Sequence, residues 1–321
     1  MFRPGALLLA VALLDNHVTT GLVPLPASVS SGDDTPTPPL PLSPAFTIAT
    51  ADGAAPGPVL SAAFQRFEAL LFAHGGRSTG QTDRTAADET VLRTLAVNVS
   101  AGEAQAAGAA AAPQLDGDES YSLHIGAAGG TATLAAPTLQ GALHGLQTFS
   151  QLCRYDYDTE RVVIDRAPWT IDDRPRFSHR GLMLDTSRHF YPPRAIIQLL
   201  DAMSAVKLSV FHWHLVDSTS FPLHVPGTNL SAGAWSPSQR YSRHDVEMVV
   251  EAATERAIRV VPEFDLPAHT APAWCVGEPG ICTSSGSAID PSSPRLCECC
   301  ASLRRAMALG ADSRCCLVWR R

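Results

Sequence analysis

The strongest constraint on the fold is an alternation that runs from residue 180 to residue 269. Short apolar runs take turns with helical periodicity, and each apolar run closes on an acid. The first run is Gly181-Leu-Met-Leu-Asp185, the second Leu208 to Val216 followed by Asp217, the third Ile258 to Phe264 followed by Asp265. Between them, Pro192-Pro193 opens a stretch that puts Ile196, Leu199, Leu200, Met203 and Val206 on one helical face. His244 to Ala257 does the same with Val246, Val249, Val250 and Ala253. Strands this continuously apolar are buried on both faces, which calls for a parallel sheet with helical crossovers. Arg295 to Leu309 reads as a third covering helix and Cys316 to Trp319 as a fourth strand. A barrel and an open doubly wound sheet both fit. No G-x-G-x-x-G follows a strand, which argues against dinucleotide binding.

Catalytic groups in a barrel collect at the carboxyl ends of the strands, and Asp185, Asp217 and Asp265 stand there. Glu263 and Asp265 share strand parity and can point to one side. His269 follows in a loop held by Pro267 and Pro272. A carboxylate beside a histidine fixes its tautomer, so Asp217–His269 or Asp265–His269 could form an orienting pair. Taken singly, each residue also reads as a loop-capping acid or a solvated histidine; three strand ends together favour a site. His212 and His214, two apart on one strand, could bind a metal or donate to neighbouring acids. Trp213 and Trp274 could wall a sugar ring or fill the core. Arg180, ahead of the first strand, could clamp hydroxyls or lie on the surface at the strand entry.

Upstream the pattern differs. Residues 24–44 read as an extended Pro-rich entry, 58–72 and 138–153 as amphipathic helices, 121–125 and 131–134 as a hairpin, and 162–164 as a short strand. This is an α+β domain over 22–165. A Pro-containing linker, 166–179, leads to the second domain, 166–321, whose last part from 275 diverges. The net charge of −7 excludes a nucleic-acid binder, because no excess of basic residues is available to neutralise phosphates. Residues 1–20 carry one Arg and then an apolar run, Ala6 to Leu14, the length of a signal-peptide core and too short for a membrane span. Two sequons, at Asn98 and Asn229, suit a secretory route. Of eight cysteines, Cys275 and Cys282 could close a short disulfide loop; no paired C-x-x-C zinc pattern is present.

RGLMLDTSRHF (180–190), LDAMSAVKLSVFHWHLVDS (200–218), FP (221–222) and IRVVPEFDLPAHT (258–270) together resemble glycoside hydrolase family 20, the β-N-acetylhexosaminidases. AFQRFEALLF (63–72), ESYSLHI (119–125) and TLQGALHGLQTFSQL (138–152) resemble the small α+β domain ahead of the barrel in lysosomal-type members. The resemblance covers about residues 22–274, with a fainter echo in IDPSSP at 289–294. It implies an N-terminal α+β domain followed by the first part of a (β/α)8 barrel, incomplete in this chain. It implies removal of terminal N-acetylhexosamine from glycans by a retaining reaction in which the substrate's acetamido group is the nucleophile. By the same resemblance Arg180 holds the sugar hydroxyls, Asp217 and His269 orient an acid Glu, and Asp265 supports the pocket. It implies no cofactor and no metal, a homodimer at full length, and a lysosomal, vacuolar or extracellular address without a membrane span after signal removal. Where the family has two consecutive acids this chain has Asp217-Ser218, and no Asp-Glu pair follows His269. The expectation is therefore a fragment or truncated product that lacks the acid Glu and neither folds stably nor turns over substrate alone. An inactive sugar-binding relative and a metal-dependent barrel hydrolase using His212 and His214 are the alternatives.

Overall fold

The computed structural model describes residues 21–32, 38–77, 90–100, 102, 106, 111–286 and 288–307. The expected signal peptide, Cys315, Cys316 and the expected fourth strand lie outside them. The chain divides into two compact units, the first made mostly of residues up to Arg176 and the second mostly of residues from Phe177 on.

The first unit is an eight-stranded sheet with helices α1 (Pro58–Leu71) and α2 (Leu139–Leu152). In chain order its strands are β1 (Ser28–Ser31), β2 (Leu40–Thr50), β3 (Leu92–Val99), β4 (Tyr121–Ile125), β5 (Gly130–Ala136), β6 (Cys153–Asp156), β7 (Arg161–Ile164) and β8 (Trp169–Asp173). The spatial order is β1-β8-β4-β5-β3-β2-β7-β6. The expected hairpin is present as antiparallel β4 and β5. α2 starts where Thr138 accepts from the Gly141 amide at 3.1 Å, and it lies on β4 and β5. Gly145 permits that contact, since a Cβ there would sit 2.2 Å from Leu134 Cδ1. Phe46 and Phe149 stack in the core with centroids 5.7 Å apart.

The expected linker 166–179 is corrected. Trp169 and Ile171 alternate inward along β8, which pairs antiparallel with both β1 and β4. The boundary between units therefore falls after Arg176, and 166–176 belongs to the first.

The second unit holds β9 (Gly181–Asp185), α3 (Pro193–Ala205), β10 (Val210–Val216), α4 (Arg243–Thr254), β11 (Arg259–Phe264), α5 (Ala273–Gly277) and α6 (Pro294–Met307). The sheet order is β11-β10-β9 with both pairings parallel. α3 and α4 pack on each other, and Ile196, Leu200, Met203, Val246, Val249 and Ala253 bury against Phe211, Trp213 and Leu215 of β10. Val206, expected on the apolar face of α3, lies past its end and is exposed. α4 opens with a capping box, Ser242 and Asp245 each bonding the other's backbone amide. Both helices hand over to the next strand through a left-handed residue, Lys207 (φ 55) and Ala257 (φ 58). Cys275 and Cys282 form a disulfide with Cα atoms 5.8 Å apart, as their spacing suggested. No helix among the described residues is long and apolar enough to cross a membrane.

Candidate active site

Register decides which side chains meet. Along the centre of the sheet His214 stands opposite Asp185 on one side and Glu263 on the other. All three lie near the carboxyl ends of their strands, where the loops carrying Asp217, Asp265 and His269 begin. Two of those loops are braced together. A single 3₁₀ turn, Leu230–Gly233, lies against α5, and the Ala273 amide donates to Ser218 O at 3.1 Å. A Cβ on Gly233 would stand 2.0 Å from Ala273 O, so only glycine admits this approach.

Asp217 is the hub. Its carboxylate is buried, and its two oxygens are used differently. Oδ1 accepts from Ser218 Oγ at 2.7 Å and from the Thr219 amide at 3.2 Å. Ser218, standing where the resemblance led us to expect a second acid, thus serves the first one as a donor. Oδ2 lies 2.6 Å from Arg188 Nη2, 3.3 Å from His269 Nδ1 and 3.6 Å from His214 Nε2. None of these is an aligned hydrogen bond, so Oδ2 is held by charge rather than by directed donors. His269 is 55 % exposed and adopts φ 57, a left-handed backbone uncommon for a non-glycine residue, which turns its ring toward Asp217.

Arg188 bridges Asp217 and Asp185, whose Oδ2 it meets at 2.5 Å. Burial pushes Asp185 up, but the Arg188 amide and guanidinium with the nearby His214 outweigh it and hold the acid below its ordinary value. The same acids raise the Arg188 pKa.

Beneath this level Glu263 accepts from His212 Nε2 at 2.5 Å and from His214 Nδ1 at 3.1 Å. Burial raises Glu263, yet the bonds from His214, Asp265 and His212 leave it lowered. Its neighbour Asp265 is raised, by burial first, then by the bond to Glu263 and the charges of Glu263 and Asp217. Between these two carboxyls, Asp265 is the one that keeps a proton longer.

Three readings are corrected here. Arg180 does not join the cluster. It precedes β9, so it stands at the amino end of the strands, where Nε donates to Lys207 O at 2.8 Å and Nη1 to Phe177 O at 2.6 Å. The arginine at the acids is Arg188, three residues past Asp185; an acid and an arginine three apart just after a strand end was the sequence signal for it. Trp213 and Trp274 are fully buried, Trp213 donating to Thr186 Oγ1 and Trp274 packing edge-on to Phe221, so neither walls a site. The exposed indole at this end is Trp235, tied to Ser187 O at 3.0 Å. His212 and His214 do not converge on an open point, because each turns a ring nitrogen to Glu263. His214, Asp217 and Asp265 do approach within 4.8 Å of one another, but Arg188 already supplies a cation there.

Parallel strands covered by helices, with ionisable groups gathered at the strands' carboxyl ends, are the arrangement of a β/α-barrel enzyme domain. The chain belongs to glycosyl hydrolase family 20: residues 177–303 match its catalytic domain and residues 22–152 match the beta-acetyl hexosaminidase-like domain. It is 39 % identical over 266 residues to beta-hexosaminidase 1 of Arabidopsis thaliana, covering 81 % of this chain and 48 % of that protein. Over 174 residues it is 46 % identical to the human beta-hexosaminidase subunit beta, covering 53 % of this chain and 31 % of the relative. The solved chitobiase of Flavobacterium johnsoniae superposes with a TM-score of 0.70 at 28 % identity, over 90 % of this chain and 43 % of that one. The chain thus spans about half, or less, of the length of the proteins it matches.

Proposed function

We propose that the protein removes terminal, non-reducing N-acetylglucosamine or N-acetylgalactosamine from glycans by a retaining, substrate-assisted reaction. The acetamido carbonyl oxygen of the sugar attacks its own anomeric carbon as the bond to the leaving oxygen breaks, and an acid gives that oxygen its proton. The oxazolinium so formed is opened by water, whose proton returns to the same acid, with net retention. In this reading Asp217 and His269 orient and tune the acid, and Asp265 supports the pocket from below. Arg188 takes the role of meeting sugar hydroxyls that the sequence had suggested for Arg180. Its guanidinium is 40 % exposed while its position is fixed by two carboxylates.

The observation that carries this reading is the buried Asp217 carboxylate, in contact at once with Arg188 and His269 at the strands' carboxyl ends. The acid itself is assigned to none of the described glutamates after His269: Glu278 and Glu298 are both bound to Arg295. Passage through the secretory pathway is part of the proposal, with Asn98 and Asn229, both exposed, as glycan acceptors. The test is hydrolysis of a 4-nitrophenyl N-acetyl-β-glucosaminide by the protein, with the anomer of the first-formed sugar read by NMR. A β product supports the reading. An α product overturns the retaining mechanism, and loss of activity on chelation would instead favour metal-assisted hydrolysis.

A further inference from the structure

We propose that Glu263 is a positioning residue for the Asp217–His269 pair and that it acts through His214. The inference rests on the reading of that pair given above. Glu263 is almost wholly buried and faces His214 directly across the β10–β11 pairing. Its Oε2 lies 3.1 Å from His214 Nδ1 and 2.5 Å from His212 Nε2. A carboxylate accepts only, so each imidazole must present an N–H to it. That fixes the His214 proton on Nδ1 and turns Nε2 outward, 3.6 Å from Asp217 Oδ2 and 3.5 Å from Arg188 Nη1. Asp217 in turn lies 3.3 Å from the exposed His269. A continuous line therefore leads from a buried glutamate to the rim: Glu263, His214, Asp217, His269.

Every charged group packed on this line has its own place. Asp185 and Arg188 approach from β9 and the turn after it, His212 from β10 and Asp265 from the loop after β11. Of these, His212 bonds the Glu263 carboxylate and is not among the groups against Asp217 Oδ2, which are Arg188, His269 and His214, and so it separates the two roles Glu263 could have. If Glu263 merely partners the two imidazoles, losing either histidine contact should matter alike. If it orients the Asp217 pair, only the His214 branch should matter.

The test uses the full chain with ¹⁵N-labelled histidine, with ring-nitrogen shifts recorded for the parent, Glu263→Gln, Glu263→Asp, His214→Asn and His212→Ala. The parent should carry the His214 proton on Nδ1. In Glu263→Gln the amide can donate as well as accept, so the His214 proton should spread over both nitrogens and the His269 ring signals should move. Glu263→Asp should restore the parent pattern in part. His214→Asn keeps a donor toward Glu263 but removes the group facing Asp217, and it should move the His269 signals as Glu263→Gln does. His212→Ala should leave both rings as they are. In hydrolysis, Glu263→Gln should lower kcat about tenfold or more with KM little changed, since alignment rather than sugar contact is lost. A His214 ring that stays Nδ1-protonated in Glu263→Gln, or a His212→Ala spectrum that matches Glu263→Gln, overturns the proposal. The ring measurements need no substrate. A protein without hydrolytic activity therefore sinks the catalytic reading and leaves the positioning claim to be decided by the spectra.

Discussion

Asp265 is the residue whose ionisation works against the fold. Its pKa is raised above the ordinary 3.8 by burial and by Glu263. A raised acid adds stability while it is protonated and loses that contribution as pH climbs through its folded value. Asp265→Asn removes the penalty, and its amide can donate to Glu263 without needing a proton. The variant should therefore melt at the parent's temperature below about pH 3.8, and above it by a margin that widens with pH and then levels off. Thermal unfolding across that range checks this; a variant less stable at neutral pH would refute it. The two arginines give a second contrast. Removing the Arg188 guanidinium takes charge-assisted bonds from the site, so Arg188→Ala should weaken N-acetylglucosamine binding tenfold or more. Arg180→Ala, at the other end of the strands, should leave the dissociation constant near the parent's, measured by calorimetry. Residue chemistry marked Asp217, Asp265 and His269 in the sequence because each follows a strand end. It named Arg180 and passed over Arg188, although the carboxyl-end rule that marked the acids points to the latter: Arg180 precedes β9 and Arg188 follows it. Nor could it tell a wall tryptophan from a core one: Trp213 packs against Phe211 and Tyr241 and is sealed from solvent.

At the scale of elements, α3 and α4 end on the same device. After α3 the Leu208 amide reaches back to Met203 O at 2.9 Å, and after α4 the Ile258 amide reaches Ala253 O at the same distance. Between helix and strand, Lys207 and Ala257 carry the left-handed turn that glycine would adopt freely. For alanine that conformation costs about 1–2 kcal/mol. Ala257 is buried, so Ala257→Gly also gives up a methyl worth about 0.8 kcal/mol. Relief should exceed loss by less than about 1 kcal/mol, raising the urea midpoint slightly with an unchanged slope. A lowered midpoint would mean that packing of the methyl outweighs the strain. Elements with an unbroken period were legible in the sequence: α1 to α4, the β4–β5 hairpin and the three parallel strands. Those with a broken period were not. β2 runs through Pro41 and Pro44 and shifts register between Leu42 and Thr47, and β3 shifts between Leu92 and Thr94. β8 hides between Pro168 and an acidic, Arg-rich run, and its two buried residues, Trp169 and Ile171, suffice only because β1 and β4 flank it.

At the scale of the whole molecule, the site can be judged by how many of its carboxylates are free to act. Glycosidases need one carboxyl able to give a proton to the leaving oxygen and to take it back from water. Among the described residues at this end, Asp185 is bound to Arg188, Asp217 to Arg188 and Ser218, and Glu263 to both histidines. The first and last of these are held below their ordinary values, which makes them poor acids near neutrality. Asp265 is shifted the right way, but it lies buried beside Glu263, and its proton is needed there to separate two acids. What these residues can do is bind and orient: Arg188 faces solvent with its charge in place, and His269 stands at the rim. N-acetylglucosamine should therefore perturb the His269 and Trp235 signals of the protein, and signals unchanged at saturating sugar would refute binding at this end. Should a described carboxyl also be the acid that carries turnover of the β-glucosaminide, its surroundings single one out. Asp265, the one among them raised by its surroundings, would then be the residue whose replacement by asparagine abolishes it.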